Sequence, residues 1–445
     1  MHSRLIDSLK NEYKDKKVLV MGLGLQGGGL GAVQFFLELG ADVTITDLKS
    51  ADQLSSSLKL LEGKNVKTIL GQHHEQDFIQ SDLIIKSPKV RWDNPLILSA
   101  LAKGVQVDME SSFFAKYCPA RIIGITGTRG KSTTTYMIYD LLKKAGKDVV
   151  LGGNIPHIST ISLLKDIHPD QLVVLELSSW QLSGFKRRAI SPHIAVFSNF
   201  YPDHLDYYSN MDEYYEDKAV IYQYQKPNDY AVINKSLQNY VEKYPTASHL
   251  QFFSDSDISW NLKIQGTHNV QNASSAYKVG RILGIDEKIC KDVLEQFAGV
   301  PYRQQIVRII NNVTFVNDTT STTPVATNIA IEAFKDKYLV LIFGGSTKHL
   351  PTEGLLEKLK LAQKIVLLKG SFTNEVMPYL QEHYAEKISK VFDSIDEAVV
   401  ESYRLAKNIE GPTSVVLSPG ATSFEMFKNE FHRGDEFNRV VNVLK

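Results

Sequence analysis

Short apolar runs that end in glycine or polar turn residues alternate along this chain with stretches whose apolar positions repeat at helical spacing. Residues 18–22, VLVMG, form such a run, and a glycine-rich turn follows. The spacing of AVQFFLEL then predicts a helix over 31–39 that Gly40 stops. Residues 42–47, 81–88 and 104–110 read as further strands, so the first part of the chain predicts a parallel sheet with crossover helices. A second region opens with the strand RIIGIT at 121–126, which feeds a glycine loop and a helix through 144. Residues 170–179, 193–200 and 230–234 are its later strands, and 266–284 is an apolar-periodic helix. A third region begins near 300–305, with strands expected at 313–318, 338–345, 364–370 and 414–420. The pattern predicts three α/β units, cut near 118 and 300.

Composition narrows the class. The chain has 445 residues, 43% hydrophobic and 22% charged, which is ordinary for a soluble globular protein. Fifty Lys and Arg balance fifty Asp and Glu, so no net basic excess favours nucleic acid or an anionic membrane. No stretch approaches the roughly 18 apolar residues of a membrane span. The polar N-terminus lacks the apolar core of a signal peptide. Cys118 and Cys290 are too few for a disulfide framework and fit a reducing cytosol as buried or free thiols.

Four clusters carry chemistry. Gly127-Thr128-Arg129-Gly130-Lys131-Ser132 follows a strand and opens a helix. Backbone N–H groups of such a loop converge on phosphate oxygens, Lys131 can reach the β- and γ-phosphates, and Ser132 can bind Mg²⁺. It is a shortened variant: the usual spacing needs glycine where Ile125 stands. Gly22-Leu23-Gly24-Leu25-Gln26-Gly27, with Asp47 ending the next strand, has the spacing of a dinucleotide fingerprint. The same crevice serves NAD(P), another nucleotide, or tight packing alone. Glu176, in ELSSWQL, ends a strand where a carboxylate can hold a divalent cation beside a phosphate loop. His204 lies in NFYPDHLD between Asp203 and Asp206; by itself it reads equally as a packed histidine or a ligand.

Taken in order, GTRGKS, ELSSWQL, NFYPDHLD, GTHNVQN, the Tyr302-Arg303 pair, the Asn317-Asp318 strand end and SPGATSFEMF with RGDEF resemble the Mur ligase family over essentially the whole chain. These are ATP-dependent enzymes that add amino acids to the UDP-sugar precursor of peptidoglycan. The resemblance implies a Rossmann-like UDP-binding domain over 1–118 and a central ATP-binding domain of P-loop type over 119–300. A Rossmann-like amino-acid-binding domain would cover 301–445. It implies a cytoplasmic, monomeric ligase that joins D-glutamate to UDP-N-acetylmuramoyl-L-alanine through an acyl phosphate. Gly127 to Thr133 would bind ATP with Asn272, Arg303 and Asp318. Mg²⁺ would be held by Ser132, Glu176, His204 and Lys218, the last matching the family lysine that is carbamylated. Lys131, Lys218, His204 and Glu176 would be the catalytic set. The UDP-substrate would meet Leu25, Gln26, Asp47, Leu48, Ser87, Asn154, Ser178 and Gln181, and the amino acid Thr322, Lys348, Ser423 and Phe424.

Two positions depart from the family pattern. Thr320 stands where a lysine commonly meets the glutamate carboxylate, and Glu430 where an aromatic residue commonly packs on the amino acid. Losing a cation and gaining an anion weakens a dicarboxylate pocket unless another base compensates, with Lys348, His349 and Arg433 the candidates. These departures keep L-glutamate, or another amino acid, as the alternative. A non-catalytic UDP-sugar sensor, an NAD-dependent oxidoreductase and a folate-polyglutamylating relative are the other readings. The oxidoreductase leaves the phosphate loop, Glu176 and His204 without a role.

Overall fold

The computed structural model describes residues 2–444 apart from 25–26, 156–157, 205–206, 265 and 349. Contacts gather the chain into two compact units, Met1–Phe297 and Ala298–Lys445.

The first unit carries two sheets. β1 (Lys17–Met21), β2 (Asp42–Asp47), β3 (Lys67–Leu70), β4 (Leu83–Lys86) and β5 (Gln106–Asp108) make a parallel sheet of order β3-β2-β1-β4-β5. β6 (Arg121–Thr126), β7 (Val149–Gly153), β8 (Leu172–Glu176), β9 (Ile194–Phe197), β10 (Tyr230–Asn234) and β11 (His249–Phe253) make the second, of order β11-β10-β9-β6-β8-β7, again parallel. Helices cover both faces, so the inner strands are buried throughout and read as continuous apolar runs. Both sheets have a topological switch point, between β1 and β4 in one and between β6 and β9 in the other. Ligands of such sheets sit beyond the strand C-termini at those points.

The two sheets share one core, in which Val18, Phe35 and Phe113 belong to the same cluster as Leu175, Phe185 and Tyr215. Buried Asp108, at the end of β5, receives two hydrogen bonds from Arg188 at 3.0 and 2.6 Å. Glu110 takes the backbone N–H of Ile161 at 3.0 Å. It lies so close to the start of the helix Gly28–Glu38 that a Cβ on Gly28 would come within 3.2 Å of its carboxylate.

The second unit contains β12 (Gln305–Ile310), β13 (Val313–Asn317), β14 (Tyr338–Gly344), β15 (Lys364–Leu368), β16 (Ile388–Phe392) and β17 (Thr413–Leu417), in the order β12-β13-β17-β14-β15-β16. All neighbours are parallel except β12 and β13, an antiparallel hairpin turning through Asn311, whose φ is +54°. β17, last in the chain, inserts between β13 and β14, so Leu417 pairs with both Asn317 and Ile342.

Five strands go beyond those expected from the apolar runs: β3, β7, β11, β12 and β16. Each is a sheet edge. Their residues are largely half-buried or exposed, so they lack the uninterrupted apolar run that marks an inner strand. Cys118 and Cys290 are both free thiols, and burial pushes each up to about 11. Among the described residues, no helix is long and apolar enough to cross a membrane.

Glu110 gives a pH prediction. Desolvation, partly offset by its hydrogen bonds, raises its carboxyl from the usual 4.5 to about 7. A carboxyl whose folded pKa is raised contributes stability that is complete below 4.5 and is lost as the pH climbs towards 7. Urea titrations from pH 4 to 8 will therefore show wild type losing stability relative to Glu110→Gln as the pH rises. Parallel curves for the two proteins would contradict the assignment.

Candidate functional site

The phosphate loop lies between β6 and the helix Lys131–Lys144. Gly127 and Gly130 have φ of +152° and +76°. A Cβ on Gly127 would lie 1.9 Å from Ser198 Oγ, and one on Gly130 2.5 Å from Asn272 Oδ1, so both positions require glycine. The helix cap is Gly130, which supplies no side-chain acceptor, and the N-terminus of a helix favours an anion. The loop after β9 laces onto the phosphate loop. Thr128 N–H donates to Asn199 O at 3.0 Å, Arg129 N–H to Asn199 Oδ1 at 2.9 Å, and Tyr201 N–H to Thr128 Oγ1 at 3.0 Å. Lys131 folds back, its Nζ donating to the carbonyls of Gly127 at 3.0 Å and Thr128 at 3.1 Å. Thr133 follows in the first helical turn, and Thr134 donates to Asn272 Oδ1 at 3.2 Å. Asn272 is thus built into the floor of the loop.

Lys218 is 1% exposed on the helix Met211–Gln223 and donates to the same Gly127 carbonyl at 2.9 Å. Its Nζ stands 4.8 Å from the centre of the Tyr214 ring. Burial, and after it the charge of Lys131, hold its amine well below the usual lysine range, against the opposing pull of Asp203 and Asp217. Glu176 ends β8 directly beside β6, in register with Ile125. Asn154 Nδ2 donates to its Oε1 at 3.0 Å, while Oε2 is buried with no partner. His204 adopts a φ of +54°, which its own backbone N–H supports by donating to Asp203 Oδ1 at 2.9 Å. Its ring packs against Trp180 at 4.8 Å and Tyr214 at 5.9 Å.

An orphaned, buried carboxylate oxygen is the donor that a hard cation takes, so Glu176 fits Mg²⁺. Among the described residues, no three His, Cys, Asp or Glu side chains gather as a metal site. Only Glu176 and His204 of the expected Mg²⁺ set belong to those types; Ser132 and Lys218 would complete a mixed donor set. Arg91, which sequence reasoning passed over, comes from the loop after β4 to brace the histidine loop. Its guanidinium donates to the carbonyl of Tyr207 and lies over that ring at 5.0 Å.

At the switch point of the first sheet, Gly22 and Gly24 have φ of +92° and +64°. Gly29 permits the helix to touch the strand end, because its Cβ would sit 2.2 Å from the carbonyl of Gly22. Asp47 receives the N–H of Leu23 at 3.0 Å and of Lys49 at 2.9 Å, so it shapes the turn. Leu48 is exposed, and Ser87 follows β4 across the crevice from Gly22. Leu25 and Gln26 lie outside the described residues. Ser178 and Gln181 form a reciprocal capping box on the helix Ser179–Arg188, with Gln181 N–H donating to Ser178 Oγ at 3.2 Å and Ser178 N–H to Gln181 Oε1 at 3.0 Å.

In the second unit the loops after β13, β14 and β17 are neighbours. Lys348 Nζ donates to Thr322 Oγ1 at 3.0 Å, and Glu430 and Arg433 are its charged neighbours. Ser423 Oγ is buried without a partner, whereas Phe424 is exposed. Thr320 does not point free: its hydroxyl donates to the carbonyl of Tyr302 at 2.8 Å. Arg433 is fully buried. It donates to Thr319 Oγ1 at 2.9 Å and to the carbonyls of Thr319, Ala421 and Thr422, and burial brings it down to about 9. Asp318 takes hydrogen bonds from Gln304 N–H, Ser321 and Ser418, and burial pushes its carboxyl up to about 6, with Arg303 among its charged neighbours. His349 lies outside the described residues.

The Mur ligase middle domain matches residues 125–249, and the Mur ligase MurD-like N-terminal domain matches residues 16–108. A UDP-N-acetylmuramoylalanine–D-glutamate ligase of Roseiflexus sp. (strain RS-1) is 34% identical, over 96% of this chain and 98% of its own length. A ligase of the same name from Borreliella afzelii (strain PKo) is 34% identical over 98% of this chain and 99% of its own. Among solved structures, a MurF from Acinetobacter baumannii superposes with a TM-score of 0.52 at 14% identity, covering 99% of this chain and 98% of that one. The UDP-N-acetylmuramate-alanine ligase MurC of Thermotoga maritima gives 0.50 at 20% identity, covering 97% and 100%. These two likenesses are of fold. The near-complete match to the curated relatives decides the family: this chain belongs to the Mur ligases.

Proposed function

We propose that this ATP-dependent, amide-forming ligase joins D-glutamate to UDP-N-acetylmuramoyl-L-alanine in the cytoplasm, as a monomer, in peptidoglycan precursor synthesis. The two relatives at 34% identity carry that activity in their names. The observation that carries the proposal is the meeting of Lys131, Lys218 and the strand end of Glu176 around the loop at Gly127.

Residues 1–118 are read as the UDP-binding domain, 119–300 as the ATP-binding domain and 301–445 as the amino-acid domain. ATP phosphates would lie on the N–H groups of Gly127 to Thr133, with Lys131 released from its two carbonyls to meet the γ-phosphate. Asn272, Arg303 and Asp318 would hold the rest of the nucleotide. Ser132, Glu176, His204 and carbamylated Lys218 would hold Mg²⁺, which when bound neutralises charge developing on the transferred phosphoryl group. Leu25, Gln26, Asp47, Leu48 and Ser87 would receive the UDP moiety, and Asn154, Ser178 and Gln181 the muramoyl-alanine arm. The carboxylate of that arm attacks the γ-phosphorus, ADP leaves, and the amine of the amino acid displaces phosphate from the acyl phosphate.

Lys218 supplies the chemistry for its own modification. Burial lowers the amine's affinity for its proton, which favours the free lone pair at Nζ; that lone pair can bond to the carbon of CO₂ with release of a proton, giving an anionic carbamate. With Thr320 engaged by Tyr302, the dicarboxylate contacts fall to Lys348 with the hydroxyls of Thr322 and Ser423, and Phe424 beside them. The orphaned Ser423 hydroxyl is the donor such a ligand would satisfy.

The experiment that tests the function offers D- and L-amino acids with UDP-N-acetylmuramoyl-L-alanine and ATP, and reads the product by mass spectrometry. D-glutamate is the expected substrate; preferential use of L-glutamate would transfer the reading to the alternative.

Lys218→Ala is expected to lose activity by about 100-fold or more, the scale of removing one electrostatic stabiliser. Millimolar acetate should restore part of it. An alanine variant that remains fully active without additive would exclude a carbamate. Lys348→Ala is expected to raise the KM for D-glutamate by about 10- to 100-fold, or 1.5–3 kcal/mol, with smaller effects on the other two substrates. Steady-state kinetics with each substrate varied in turn measures this, and equal changes for all three would remove Lys348 from the pocket.

A further inference from the structure

We infer that Glu425 is a positioning residue for the amino-acid site, holding the loops of Lys348 and Ser423 in one arrangement. This rests on the reading of Lys348, Thr322 and Ser423 as the glutamate contacts, and names what fixes them.

The helix Ser371–Tyr384 starts after Gly370, which has no side chain with which to cap it. The cap comes from another loop. Ser371 N–H donates to Glu425 Oε1 at 2.9 Å, and Ser371 Oγ donates to the same oxygen at 2.6 Å. Those bonds hold the Glu425 carboxyl below the usual glutamate range, so it stays anionic at the helix N-terminus, where negative charge is favoured. The Ser371 hydroxyl in turn accepts from Thr347 N–H at 3.1 Å. A relay therefore runs from the backbone next to Lys348, through Ser371, to Glu425.

The other end of Glu425 is tied as well. Its backbone N–H donates to Ser346 Oγ at 3.2 Å. Ser346 and Thr422 exchange backbone hydrogen bonds at 3.0 Å in both directions. Thr347 Oγ1 donates to Glu375 Oε2 at 2.7 Å, fixing the Lys348 loop to the body of the same helix. Gly345 and Gly370 pack so closely that a Cβ on Gly370 would lie 2.2 Å from the Gly345 carbonyl. The loops after β14, β15 and β17 are thus stapled together around one carboxylate. The buried, unpartnered Ser423 hydroxyl lies two residues before it.

Glu425 is itself exposed and belongs to no hydrophobic core, so removing it should alter loop geometry more than folding. The test compares Glu425→Ala, Glu425→Gln and Ser371→Ala in the full chain, with Lys348→Ala as control, by steady-state kinetics and thermal melting. Misplacing a binding group by a fraction of an ångström to an ångström weakens it by about 10-fold or more, so Glu425→Ala should raise the KM for D-glutamate by that factor. KM for ATP should hold. Glu425→Gln keeps an oxygen acceptor and should recover most of the loss. Ser371→Ala should resemble Glu425→Ala, and the double variant should be no worse than either, because both break one relay. A lowered Tm with unchanged KM for D-glutamate would make Glu425 only a helix cap and overturn the inference. If Lys348→Ala raises that KM while Glu425→Ala and Ser371→Ala do not, the inference falls and the pocket reading stands. If none of them moves it, both fall. Should Glu425→Ala fail to fold, Glu425→Gln and Ser371→Ala carry the same comparison.

Discussion

Lys131 and Lys218 donate to one oxygen, the carbonyl of Gly127. A carbonyl has two lone pairs and can accept both, but two ammonium groups that close repel, and the buried one bears the larger penalty. Lys218 is that one: burial first, and then the charge of Lys131, lower its amine's pKa. The constraint reaches outward from there. The Gly127 carbonyl is available only because the loop turns at a φ of +152°, and the Ser198 hydroxyl fills the space a side chain at Gly127 would take. The same β9 loop then carries Asp203 and His204, so the segment that holds the phosphate loop also carries the expected metal-site histidine.

Parallel pairing explains why the candidate site residues gather where they do. All strands of the first two sheets run the same way, so their C-terminal ends lie on one edge of each sheet. Gly22, Asp47 and Ser87 end up at the edge of one, and Gly127, Asn154, Glu176 and His204 at the edge of the other. The third sheet repeats the principle by insertion: β17 enters between β13 and β14 and brings Ser423 to the loops of Thr322 and Lys348.

The loops proposed to take the amino acid carry charge differently from the family pattern expected from the sequence. Thr320 is a hydroxyl engaged with backbone, and the cation beneath that segment is Arg433, buried and bonded to carbonyls and a hydroxyl. The Arg433 guanidinium brings a positive charge among the loops of Thr319, Ala421 and Thr422, whose carbonyls it holds. Glu430 faces both Arg433 and Lys348, so the net field there depends on all three.

The sequence by itself determined the inner strands, the phosphate loop and the family, because each is written in a contiguous segment. A buried parallel strand must be apolar along its whole length, and a phosphate loop must combine glycine, lysine and serine at fixed spacing. Edge strands such as β11 and β16 escaped because one flank meets solvent and their side chains are mixed. The β12–β13 hairpin turns at Asn311-Asn312, where an asparagine accepts the positive φ that a tight turn needs. Tertiary structure alone decided which side chains are engaged. Nothing local in the sequence lowers the pKa of the Lys218 amine, leaves one oxygen of Glu176 unpaired, or ties Thr320 to Tyr302 and Ser371 to Glu425. Those states arise from burial and from partners tens of residues away, and desolvation and hydrogen bonding act only once the chain has brought such groups together.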